Sequence, residues 1–280
     1  MGHPACSVAS LGARESLVGT AVDSVDRWLL LEVTDPWAPK ALQTEALPEA
    51  VRKYLARWLE APRSRLQLIR RPGRSGKVSL VTLVSKGSVR QIELERYEDL
   101  LDLDLDTLPA VPAEPMVLVC VHGRRDRCCA QHGSAVYRSL QARLGDVWQT
   151  SHLGGHRFAA CVLTLPEGLM YGRLRTEHGD SFAAALHAGE VGDLELLRGR
   201  CEYDRPTQAA EIFLRRRTGE RDGGAIEWIE TSALGESSWS ARFRAPSGEH
   251  TVQVTLEDTG IESPASCGGE PEPVTRFVER

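Results

Sequence analysis

Two stretches of this chain, residues 28–103 and 116–188, read in the same order of elements, and that repetition constrains the fold more than any other feature. The near-continuous apolar runs 28–33 and 116–121 predict strands covered on both faces. A helix follows each: one opens at Pro48 and Glu49 and carries the stripe Val51, Leu55, Trp58 and Leu59, and the other covers 128–144 with Val136, Leu140 and Leu144 in line. Three strand candidates come next in both halves, 65–69, 78–84 and 89–94 in the first and 147–151, 158–165 and 169–174 in the second. Short helices at 97–103 and 180–188 close the two units.

Strand, helix, strand, strand, strand, helix is the order of a thioredoxin-like layer, with helices on both faces of a mixed sheet, so the fold class is α+β. The first half reads as a degenerate copy of the second without its chemistry, and the proline-bearing stretch 108–115 separates them. Beyond them the pattern predicts an amphipathic helix at 206–217 and strands at 225–229, 239–244 and 251–256, with a turn at 245–250. The Pro-, Gly- and Ser-rich stretch 262–273 is expected to be loop. The chain is therefore expected to divide into 1–108, 109–195 and a small α+β extension, 196–280.

Composition narrows the function classes. With 280 residues, 41 % hydrophobic and 26 % charged, the chain can bury most of its apolar surface in the manner of a globular protein. Its 34 basic and 39 acidic side chains leave a net charge of −5, which argues against nucleic acid as a partner. No apolar run approaches the roughly 20 residues of a membrane span, and the N-terminus lacks a secretory pattern, so a cytoplasmic location without membrane attachment is expected. Seven cysteines at irregular spacing do not form a disulfide framework; a subset is expected to bind metal.

The chemistry concentrates between 119 and 156. Cys120 stands at a strand end and Cys129 in the first helical turn, with eight residues between them, and His152 and His156 follow with Gly154 and Gly155 in between. A helix N-terminus with Arg124, Arg125 and Arg127 nearby favours the thiolate that metal ligation needs. The glycines let the backbone bend tightly around something bulky.

These residues resemble the sucrase/ferredoxin-like family, whose members include thioredoxin-like ferredoxins with a two-Cys, two-His 2Fe-2S cluster. The Cys6-Ser7 opening, the segment 27–32, the segment 68–72 and Cys120-Val121-His122-Gly123-Arg124-Arg125-Asp126 carry the resemblance along most of the chain. It implies a thioredoxin-like ferredoxin module that holds the cluster through Cys120 and Cys129 on one iron and His152 and His156 on the other. Cys128 neighbours Cys129 and is an alternative ligand. Four thiolates leave a diferric cluster doubly negative, whereas two thiolates and two neutral imidazoles leave it neutral and easier to reduce. Rieske-type centres accordingly span about −150 to +300 mV, against about −400 mV for plant-type ferredoxins. The function implied is one-electron transfer, coupled to a proton on the imidazoles, with a redox protein as partner and no catalytic residues of an enzyme.

Two other readings share the inventory: a zinc-stabilised thioredoxin-like binding protein, and a redox or iron sensor with labile imidazoles. A vicinal redox role for Cys128 and Cys129 lacks the C-x-x-C spacing. Cys161 reads as a buried hydrophobe, while Cys6, Cys201 and Cys267 have no assignment. Asp126 reads as a helix N-cap, His122 as a candidate support for the ligands, and Arg124, Arg125, Arg127 and Arg157 as a docking patch. No carboxylate pair suits glycoside cleavage, so the family's sucrase label gains no support.

Overall fold

The computed structural model describes residues 5–73, 79–85, 88–108, 110–111 and 115–280. A short helix, α1 (Cys6–Gly12), precedes the first sheet unit. That unit contains β1 (Arg27–Glu32), α2 (Glu49–Trp58), β2 (Ser64–Arg70), β3 (Ser79–Ser85) and β4 (Ser88–Leu94), followed by a 3-10 helix (Tyr97–Asp102) and the two-residue β5 (Ala110–Val111). The second contains β6 (Met116–Cys120), α3 (Arg127–Leu144), β7 (Val147–Thr150), β8 (Val162–Leu165), β9 (Leu169–Tyr171), α4 (Gly179–His187) and β10 (Leu197–Arg200).

All ten strands form one mixed sheet in the order β10-β9-β8-β6-β7-β2-β1-β3-β4-β5. β1 lies between β2, parallel, and β3, antiparallel; β6 lies between β7, parallel, and β8, antiparallel. The continuous apolar runs follow from those central positions, since Leu29, Leu30, Leu118 and Val119 are wholly buried between layers. The antiparallel pairs β3–β4 and β8–β9 extend each half in the same direction. The strand orders β2-β1-β3-β4 and β7-β6-β8-β9 thus share both sequence and pairing sense. They meet edge to edge where Ile69 pairs with Thr150 and Arg70 with Gln149, antiparallel. Strand edges that would invite association are covered at that seam.

The C-terminal segment adds α5 (Arg205–Thr218) and a four-stranded antiparallel sheet, β11 (Glu227–Ala233), β12 (Ser238–Ala245), β13 (Gly248–Pro264) and β14 (Pro271–Glu279). Alternation on β12 buries Ala241, Phe243 and Ala245, while Arg242 and Arg244 face outward to Glu230, Glu227 and Glu249. The buried face packs with Ala209, Ala210 and Ile212 of α5 in the larger of the apolar clusters. Asp204 caps α5 by accepting from Thr207 N at 2.9 Å, and Gly219 ends it at φ +73°.

Several boundaries differ from the sequence reading. Residues 262–273, expected as loop, hold the end of β13 and the start of β14, with Pro264 opposite Pro271 at the end of the ladder, where a missing donor costs no pairing. The strand expected over 158–165 starts only at Val162, because His156–Phe158 winds into a 3-10 turn. The segment 97–103 is likewise 3-10, and β9 stops at Tyr171. α1, β5, β10 and β14 have no counterpart in that reading. The expected strand start at residue 78 lies outside the described residues.

Candidate metal centre

Cys120 ends β6, and the turn that follows reverses the chain into α3, whose first turn carries Cys129. Asp126 caps this helix as anticipated, accepting from Cys128 N at 2.8 Å. One helical turn later stands Gly133. A Cβ there would overlap the Cys120 carbonyl oxygen, so only glycine lets α3 lie this close to the strand end.

β7 delivers the histidines. His152 follows two residues after its end, and its backbone N–H donates to His122 Nδ1 at 3.2 Å. The donor atoms of Cys120, Cys129 and His152 lie within 4.8 Å of one another, with Cys129 Sγ 3.8 Å from His152 Nδ1. His156 stands outside that group of three but stacks on His152, ring centroids 4.9 Å apart, and its Nδ1 is buried without a hydrogen-bond partner. The turn between them passes through left-handed backbone at Gly154, φ +104°, and Gly155, φ +68°.

Two guanidinium groups fix this turn from beneath. Arg65 donates to Leu153 O at 3.1 Å, and Arg198 to Gly154 O at 3.0 Å and, through Nε, to Thr20 Oγ1 at 3.2 Å. Arg198 is 2 % exposed and its guanidinium occupies the space that a Cβ on Gly155 would need. Sequence reasoning missed both arginines, since nothing near them in the chain marks them; only β10 pairing with β9 brings Arg198 under the turn.

Electrostatics favour ligating forms. A hydrogen bond from Cys129 holds the Cys120 thiol well below its ordinary range despite burial, and His152 adds to the effect. Cys129 is pushed up in turn by Cys120 and by burial, so the first charge in the pair settles on Cys120. Burial lowers His156, and the neighbouring His152 lowers it further; burial also lowers His122. His156 and His122 are therefore neutral near pH 7, and for His156 this is the state in which a ring nitrogen can bind metal. A Cys2His2 donor set with a buried, unpartnered imidazole nitrogen fits a 2Fe-2S cluster.

Cys128 points elsewhere: its sulfur lies 3.4 Å from Cys267 and 3.6 Å from Cys6. Of the expected docking arginines, Arg124, Arg125 and Arg127 are exposed, whereas Arg157 is tied to the buried Glu15 at 2.6 Å. A cleft of about 500 Å³ adjoins the centre, with Lys40, Arg65, His122, Arg125 and His152 in its walls.

The sucrase/ferredoxin-like family model matches residues 17–199, well over half of the chain. The chain belongs to the sucrase/ferredoxin-like family. No curated protein matches this member of the family. Among solved structures, a thioredoxin-like [2Fe-2S] ferredoxin from Aquifex aeolicus matches 30 % of the family member and 88 % of its own chain, at 19 % identity and a TM-score of 0.27. Two cysteine-to-serine variants of that ferredoxin match 30 % of this chain and 97 % of theirs, at 18 % and 17 % identity, both with a TM-score of 0.27. The α+β class expected from the element order holds, and the Cys and His residues supply a candidate metal or iron–sulfur site. Among the described residues no helix is long and apolar enough to cross a membrane.

Gly133→Ala is expected to loosen the centre. The gain in helix propensity, about 1 kcal/mol, is outweighed by overpacking of about 1–3 kcal/mol against the Cys120 carbonyl. Bound metal per chain should fall while far-UV circular dichroism stays unchanged; unaltered metal content would show that the contact relaxes freely.

Proposed function

We propose that this sucrase/ferredoxin-like protein is a one-electron carrier whose 2Fe-2S cluster is held by Cys120, Cys129, His152 and His156. The observation that carries this reading is the convergence of two thiols and the His152 imidazole within 4.8 Å, beside the unpartnered Nδ1 of His156. Such a cluster, when bound, accepts and releases one electron. The chain's part is to fix the donors: α3 sets Cys129 against Cys120, and Arg65 and Arg198 hold the histidine turn in place. The cysteines are buried and the histidines half-exposed, which excludes water from the sulfur side and leaves the imidazole side near the surface.

Anaerobic purification followed by iron and acid-labile sulfide assays and electron paramagnetic resonance of the reduced protein tests the reading. Two irons and two sulfides per chain are expected. Colourless protein with zinc on these four residues would replace it by the structural alternative.

Each ligating imidazole would keep a second ring nitrogen that can hold or release a proton. Raising the pH removes that proton first from the more positively charged, oxidised form. This stabilises the oxidised form, so the midpoint potential should fall by up to about 59 mV per pH unit once the proton is lost. A potential constant from about pH 6 to 10 would remove proton coupling from the proposal.

The exposed Arg124 and Arg125 fit an acidic redox partner. Their replacement by glutamate should slow reduction by the dianion dithionite at low salt by roughly tenfold and reverse the sign of the salt dependence, because attraction becomes repulsion that salt screens. Equal rates in both proteins would make the arginines ordinary surface charge.

A further inference from the structure

Three cysteines outside that centre meet at one point although they come from the beginning, middle and end of the chain. Cys6 is the first residue of α1, Cys128 lies in the first turn of α3, and Cys267 lies between β13 and β14. Their sulfurs form a triangle with sides of 3.6 Å from Cys6 to Cys128, 3.4 Å from Cys128 to Cys267 and 3.6 Å from Cys267 to Cys6. Asp126 closes the group, with Oδ1 3.3 Å from Cys267 Sγ and Oδ2 3.8 Å from Cys6 Sγ. We propose that Cys6, Cys128, Cys267 and Asp126 form a second metal site, separate from the first centre, that takes a zinc ion.

The dimensions are those of a tetrahedral site. Zinc–sulfur bonds of about 2.3 Å place the sulfurs of a tetrahedron about 3.8 Å apart, and the triangle needs only slight expansion to reach that. Three soft thiolates and one carboxylate select zinc over magnesium or calcium, which prefer oxygen throughout. A disulfide would satisfy only two of three thiols, and all three cysteines are free.

The surroundings are built for a ligand carboxylate. Cys128 N and Cys267 N donate to the two oxygens of Asp126 at 2.8 and 2.9 Å, which fixes the group's orientation. These bonds keep Asp126 below the ordinary carboxylate range, although burial alone works the other way. Ser7 Oγ donates to Cys128 Sγ at 3.4 Å and touches His132 Nε2 at 3.2 Å. Cys6, Cys128 and Asp126 are buried while Cys267 is partly exposed, which gives an ion a path of entry. Zinc there ties α1 and the β13–β14 connection to the start of α3, one residue from Cys129.

The test uses the full chain with Cys120→Ser and His152→Ala, so that the first centre is disabled, depleted of metal by a chelator and titrated with Zn²⁺. One zinc per chain is expected, with Cys6, Cys128 and Cys267 shielded from alkylation and Cys161 and Cys201 unchanged. Cobalt in place of zinc should show tetrahedral, thiolate-ligated absorption. A further Cys267→Ser should weaken zinc binding by at least the roughly 100-fold that loss of an outer-shell partner can cost. Absence of stoichiometric zinc, zinc uptake without shielding of these three thiols, or iron and sulfide on them would overturn the proposal. Because alkylation is read on a chain that keeps all three thiols, a misfolded Cys267 variant does not blur the result, and failure of the first centre to hold iron leaves this site's outcome independent.

Discussion

Cys120→Ser is expected to lower the iron and sulfide content of the protein at least about tenfold, given that even outer-shell partners are worth 10–100-fold in metal affinity. The sulfur of Cys120 is the one that the site prepares as a thiolate, and a serine hydroxyl is neither soft nor ionised at neutral pH. The substitution nearly preserves volume at a buried strand end, so the sheet should survive it. Cys129→Ser is expected to match it, whereas Cys128→Ser should leave iron untouched, because the Cys128 sulfur faces Cys6 and Cys267 instead. Iron, sulfide and visible absorption of the three variants, purified anaerobically, decide the matter. Full iron in Cys120→Ser, or its loss in Cys128→Ser alone, would move the cluster off the proposed ligands.

Glu211→Ala is expected to cost about 3–5 kcal/mol, the penalty for leaving a buried charge without its partner. Glu211 on α5 is 1 % exposed and receives Arg215 Nη2 and Arg200 Nη2, both at 2.9 Å. Arg200 belongs to β10 and also donates to Gly223 O at 2.8 Å, so the Glu211–Arg200 pair joins the large sheet and α5 to the turn that precedes β11. Its removal strands two guanidinium groups inside the protein. Burial by itself would raise the Glu211 carboxyl, but Arg200 and Arg215 together hold it below the ordinary 4.5. The unfolded chain therefore takes up the proton first as pH falls, and this contribution, complete above about pH 4.5, is lost as pH falls through the lower folded value. Urea unfolding of both proteins at pH 7 measures the cost; a midpoint shift worth less than about 1 kcal/mol would mean that water reaches the arginines.

The repeated order of elements was legible because each central strand is covered on both faces and each helix on one, and hydrophobic period records burial directly. The Asp126 cap was legible for the same local reason, as was the need for glycine at 154 and 155. The 3-10 turn at His156–Phe158 was not, because the buried Phe158, Ala159 and Ala160 that lead into β8 look like strand in a pattern of burial alone. Residues 262–273 failed in the opposite way: prolines at the end of a ladder read as loop when the partner strand is unknown.

Local sequence thus carried the repeated order of strands and helices and the close spacing within each of the pairs Cys120–Cys129 and His152–His156, since these depend on neighbours a few residues apart. Tertiary structure alone decided that the two halves join through β2 and β7. It also decided that Arg198 lies under the histidine turn, and that Cys6, Cys128 and Cys267 meet across 261 positions of chain. Such contacts are set by how whole layers close on one another, and no short window of residues carries that information.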